Sequence, residues 1–188
     1  MKDIILILIT LFTLSCKAQI LPIENAHIYI KNPDVGIPEN ITYVKDVNHL
    51  LDKYIGAWIG TYDDKTIEFR VVSYVDNSNG TLWDELLARY KITDAVGNII
   101  VDTTSLGNEN ELVCFSEYLD ETGTYMMYYL GYEHICGQQG YMYLDVGNTL
   151  NTLRLMVYPN VDIIDLEECP NGEAEQIMPR HFITLNKQ

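Results

Sequence analysis

The chain has 188 residues, 27 acidic and 12 basic side chains, and a formal charge of −15. Such a surplus repels phosphate backbones, which removes nucleic acid from the expected partners, and the length suits one domain with a flanking segment. Its four cysteines include no C-x-x-C and no His–Cys cluster at zinc spacing, so no metal and no cofactor is expected.

Met1-Lys2-Asp3 precedes an eleven-residue apolar run, Ile4 to Leu14. As a helix that run is too short to cross about 30 Å of hydrocarbon. With Ser15-Cys16 after it, residues 1–15 read as an export signal. A Cys directly behind a small residue at that place resembles the bacterial lipobox, although Leu14 stands where a small residue is commoner and Thr13 where Leu is. The resemblance implies that Cys16 is acylated and becomes the new N-terminus, placing the protein on a membrane of the bacterial envelope, the outer membrane being expected. Loss of Lys2 and Asp3 cancels, so the mature 173 residues (188 less 15) keep the charge of −15.

Residues 17–41 hold three of the six prolines and show no sustained periodicity, which predicts a tether over 16–43 ahead of a domain over 44–188. Val47, Leu50, Leu51 and Tyr54 fall at helical spacing behind Asp46, a residue type that caps helices, and Gly56 stops the pattern. The spacing predicts one short helix over 44–54.

Period-two patterning follows. Ile67, Phe69 and Val71 alternate with Glu68 and Arg70, and Asp63-Asp64-Lys65 ahead of them is a turn, so 57–74 reads as a hairpin. Leu86, Ala88, Tyr90 and Ile92 mark a third strand, and further strands are expected near 98–101, 112–119, 124–132, 141–146, 151–158 and 181–185, each bounded by Gly, Asn or Asp. Regular short strands without intervening helices predict an all-β, antiparallel up-and-down meander. Closing it into a lipocalin-like barrel of about eight strands would remove its edges. A two-sheet β-sandwich is the alternative.

If Cys16 is acylated, three cysteines remain in an oxidising compartment. Cys114 sits in an apolar alternating run and reads as a buried free thiol, whereas Cys136 and Cys169 lie in Gly- and Pro-containing loops and are expected to pair. The longest connection, 159–179, carries Asp162, Asp165, Glu167, Glu168, Glu173 and Glu175, lacks Lys or Arg before its end, and reads as a solvated loop without the ligand pattern of an EF-hand.

Gly56-Ala57-Trp58, after a short predicted helix and at the start of the first barrel strand, resembles the lipocalin and calycin pattern. That resemblance implies that Trp58 packs across the closed end of the barrel with Arg180 against it as a cation–π pair. Ser15-Cys16-Lys17-Ala18-Gln19, the stretch Leu51 to Trp58 and the ending Met178 to Lys187 together resemble an uncharacterised family of small flavobacterial lipoproteins. No assigned activity comes with that family. Its members more often have Thr-Asn where Arg180-His181 stands here, which weakens the Arg180–Trp58 pairing.

No Gly-x-Ser-x-Gly, phosphate-cradling glycine loop or His-Glu-x-x-His is present, and His27, His49, His134 and His181 are scattered. An enzyme is therefore the weakest expectation. Of the fourteen tyrosines, several crowd two adjacent predicted strands, with Tyr125, Met127, Tyr129, Tyr141 and Tyr143 as candidates to face a small apolar or aromatic ligand inside a barrel. The same side chains could fill the barrel solid. A surface-displayed protein-interaction or inhibitor module, using loops and an outer tyrosine patch, is the third reading.

Overall fold

The structure is a computed structural model that describes residues 19–160 and 164–188. The predicted export signal and the predicted lipidation site, Cys16, lie outside the described residues. The fold is all-β and barrel-like, as the alternation predicts, with a single strongly curled sheet.

Its strands are β1 (Gln19–Pro22), β2 (Ile41–Lys45), β3 (Gly56–Tyr62), β4 (Lys65–Asp76), β5 (Leu82–Thr93), β6 (Ile99–Asp102), β7 (Phe115–Leu119), β8 (Tyr125–Leu130), β9 (Gln139–Val146), β10 (Thr152–Pro159) and β11 (Ile183–Lys187). Ten follow the order β1-β2-β5-β4-β3-β11-β10-β9-β8-β7, and β6 pairs with β5 off that path. Hairpins β3–β4, β4–β5, β7–β8, β8–β9 and β9–β10 make the meander antiparallel. The N-terminal pair departs from it, since β1 runs parallel to β2 and β2 parallel to β5.

Curling brings β5 and β7 together. Ala88 and Cys114 exchange both backbone hydrogen bonds, each at 2.9 Å. One step along, the Leu86 N–H donates to Ser116 Oγ at 2.9 Å while that hydroxyl donates back to the Leu86 carbonyl at 2.8 Å. A serine side chain thus satisfies both backbone groups where the strands diverge, which burial would otherwise make costly. The divergence coincides with a β-bulge between Ser116 and Tyr118.

Two expectations change here. Among the described residues the one short α-helix, α1, spans His27–Ile30, and the predicted helix over 44–54 does not form: Val44 is taken into β2 opposite Trp83. Asp46 still caps backbone, accepting the N–H groups of Leu50 at 2.8 Å and Leu51 at 2.9 Å. The chain does not wind on, because His49 adopts φ +56°, a conformation no right-handed helix contains. Residues 19–43, expected within a tether, instead contribute β1, α1 and the first part of β2 to the fold.

Inward residues of β3 to β5 and β8 to β11 build one core, with Trp58, Ile67, Phe69, Leu86, Tyr90 and Met127 among the side chains sealed from solvent. Gly56 begins β3 at φ +140°, which an L side chain rarely adopts. Among the described residues no helix is long and apolar enough to cross a membrane.

Candidate functional site

Trp58 is 1% exposed, and its indole N–H donates to the Tyr54 carbonyl at 2.9 Å. A buried indole needs such a partner, and the turn before β3 supplies it. The cation over its ring is not Arg180. Lys187, paired with Trp58 across β11 and β3, sets its Nζ 5.0 Å from the ring centroid. Arg180 is exposed two positions before the Phe182 that precedes β11, and lines a separate cleft with Tyr158 and Glu173. The strand register, rather than proximity in sequence to β11, decides which basic residue reaches the indole.

The five candidate ligand-facing residues do not share a face. Tyr125, Met127 and Tyr129 point inward and are at most 1% exposed, while Tyr141 and Tyr143 point outward because Met142, Leu144 and Val146 take the inward positions of β9. The inner three fill space. Tyr125 bonds Ser116 Oγ at 2.5 Å at the β5–β7 seam, and the Tyr129 ring lies 5.7 Å from Tyr90. Their packing fills the core around them with side chains; one cleft of about 120 Å³ reaches the buried Trp58 and Phe69 between Ala57, Glu68, Arg70 and Gln188, and others are lined mainly by surface residues of strands and loops.

The outer face of β7 to β10 is unusual. One cross-strand row joins Phe115, Tyr128, Tyr141 and Tyr158 in register. A second joins Tyr118, Met126, Tyr143 and Met156. Phe115 and Tyr118 are three residues apart and would fall on opposite faces of a regular strand; the bulge between them puts both outside. Ring contacts of 5.5 Å (Phe115–Tyr128) and 5.4 Å (Tyr128–Tyr141) tie three members of the first row together. The Tyr128 hydroxyl receives Asn160 Nδ2 at 2.7 Å and donates to Gln139 Oε1 at 3.0 Å. Neither row contains a charged residue, and Tyr158 is 60% exposed.

Beside Tyr158 lies the loop after β10. Cys136 and Cys169 are joined by a disulfide with a Cα–Cα distance of 5.6 Å, and Cys114 is buried and free. Burial pushes the Cys114 thiol up to about 12, leaving it a poor nucleophile. The Ala174 N–H donates to the Cys136 carbonyl at 2.7 Å, and Gln138 Nε2 to the Glu175 carbonyl at 2.8 Å. These ties fasten the loop that carries the exposed Asp165, Glu167, Glu168, Glu173 and Glu175 to the β8–β9 connection, and Glu173 shares a cleft with Tyr158. Sequence reading found the acids and the cysteines. It expected the Cys136–Cys169 bridge that fastens the loop, and had no signal for the further ties at Ala174 and Glu175.

A second acidic region lies along β2, β4 and β5. Asp46, Asp52, Asp84 and Glu85 line a cleft of about 450 Å³ with Tyr43 and Lys45. Asp84 is occupied structurally, accepting the Tyr43 hydroxyl at 2.6 Å and the Asp46 N–H at 2.9 Å. Burial, with Asp76 and Glu117 nearby, raises the Glu85 carboxyl to about 7.

The four histidines stay apart. His27 and His134 contact the backbone carbonyls of Glu24 and Gly131, His49 lies 3.4 Å from Asp52, and His181 packs on Tyr62. The Cys136 sulfur beside His134 is spent in the disulfide. Among the described residues no group of three or more His, Cys, Asp or Glu side chains could hold a metal.

No curated protein and no solved structure matches the chain. One family model does match, over residues 1–144, from Met1 through β8 into β9. That span exceeds half of the 188 residues, and the chain therefore belongs to DUF6705, a family of unknown function.

Proposed function

We propose that this protein is a lipid-anchored module of the bacterial envelope that works by surface contact, acting as a displayed interaction or inhibitor domain. The observation that carries the reading is the allocation of its aromatic residues: Trp58, Tyr90, Tyr125 and Tyr129 are spent filling the interior, while uncharged rows of Tyr, Phe and Met stay on the outer face. A small apolar ligand inside the barrel, the other binding role open to a lipocalin-like fold, would have to displace packed side chains. In this reading Gly56 and Trp58 act as the closing element at the start of β3, as in lipocalins, with Lys187 in place of the basic residue that the family pattern puts before the last strand.

The anchor is the Cys16 thiol behind an eleven-residue apolar run. Full-length protein is expected to incorporate labelled palmitate and to sediment with membranes, and Cys16→Ala to leave the label behind and become soluble. Palmitate-free wild-type protein, or a Cys16→Ala form still held in the membrane fraction, would remove the anchor from this proposal.

A further inference from the structure

We infer that the outer face of β7 to β10 docks a protein whose contact surface has an apolar centre and a rim of Lys and Arg. The inference rests on the surface-contact reading above and adds which face binds and what it accepts. Stable protein interfaces concentrate Tyr, Phe and Met at a centre depleted of charge, and both rows have that composition on a molecule of −15. The rings are already organised: Tyr128 is held by Asn160 and Gln139 and touched by rings on either side, so binding costs little side-chain freedom.

Charge selects the occupant. The loop fastened by the disulfide to the β8–β9 connection, beside the Tyr158 end of the face, carries five exposed carboxylates; Glu173 and Arg180 share a cleft of about 280 Å³ with Tyr158, and at the far end of the second row Lys31, paired with Glu121, lies 5.5 Å from the Tyr118 ring centroid. An apolar centre beside an acidic border complements a basic rim. A second copy would set −15 against −15, and an anionic bilayer is repelled by the same border. A sugar chain wants flat rings to stack upon, whereas Tyr128 and Tyr141 stand at 78° to each other.

The test is photo-crosslinking in the bacterium that makes the protein, using the full chain with Tyr158 replaced by p-benzoylphenylalanine, and Glu68 on the exposed side of β4 replaced likewise as a control. A discrete protein adduct is expected from position 158 and not from 68, with Lys or Arg flanking apolar residues in the cross-linked peptide. The exposed charge reversals Glu167→Lys and Glu168→Lys together should lower its yield roughly tenfold, while their melting curve stays that of the parent. An adduct with a second copy, a lipid or a glycan, an equal yield from position 68, a yield indifferent to the charge reversal, or no adduct at all would overturn the inference. Fractionation of Cys16→Ala in the same cells reports the anchor separately, so loss of the anchor reading and loss of the docking face give different results.

Discussion

The two faces of β8 and β9 carry almost the same side chains and have opposite fates. Inside, Tyr125, Met127, Tyr129 and Met142 are at most 1% exposed and belong to the core; outside, Tyr128, Tyr141 and Tyr143 meet solvent or one another. Composition is therefore a poor guide to role in this sheet. The side of the pleat decides, and on β7 one bulged residue changes which side is presented.

The comparison would break first at Trp58. Its replacement by Ala should cost roughly 3–5 kcal/mol through lost burial and a cavity, read by thermal or denaturant unfolding of the soluble domain. Lys187→Met, which removes only the cation over the ring, should cost about 0.5–1 kcal/mol. A Trp58→Ala protein that melts with wild type would mean that the core does not depend on its inner aromatic residues.

Opening the disulfide tests the border of the outer face. Cys136→Ser with Cys169→Ser releases a bridge spanning 33 residues and should destabilise by about 2–4 kcal/mol on the loop-entropy account. Limited proteolysis should then cut within 164–175 while β8 and β9 stay resistant. Cleavage spread evenly over the strands would show that the loop supports the sheet as well as bordering it.

Glu85 offers a subtler handle. Its folded-state value near 7 lies above the ordinary 4.5 because burial, then Asp76 and Glu117, disfavour the charge. The folded protein thus binds more protons than the unfolded chain between those values. This contribution is present below about 4.5 and is lost as pH rises through 7. Melting temperature should fall across that window by more in wild type than in Glu85→Gln. Parallel curves for the two proteins would rule Glu85 out as the cause.

The smallest effect sharpens the comparison most. Tyr158→Ala on the outer row should change stability by less than about 0.5 kcal/mol, whereas Met127→Ala inside should cost roughly 2–5 kcal/mol. Similar losses at both positions would erase the distinction between the faces.

Most strands were readable because alternation and turn residues are local signals. Ile67, Phe69 and Val71 announce β4, and the Asp63-Asp64 turn that returns the chain has both residues at positive φ, +47° and +59°. Local signals also misled. Asp46 does cap backbone, but a cap followed by spaced apolar residues predicts a helix only where nothing else claims them, and β2 claims Val44. The four-residue β1 is too short to show a period, and its parallel pairing with β2 depends on chain more than twenty residues away. The pairing of Cys136 with Cys169 could be expected from their loops; the choice of Lys187 over Arg180 at Trp58 needed the β3–β11 register.

The start of β1 has a mechanical consequence. Gln19 is already in register with Ile41 and its side chain bonds Asn40, three residues beyond Cys16. Three residues of extended chain reach at most about 10 Å. A lipid on Cys16 would then act as a bolt rather than a leash, holding the sheet close against the bilayer. The β1 end would be committed to the membrane side and the molecule's freedom to swivel cut down, so the direction in which the remaining faces look would be settled by the fold before any partner arrives.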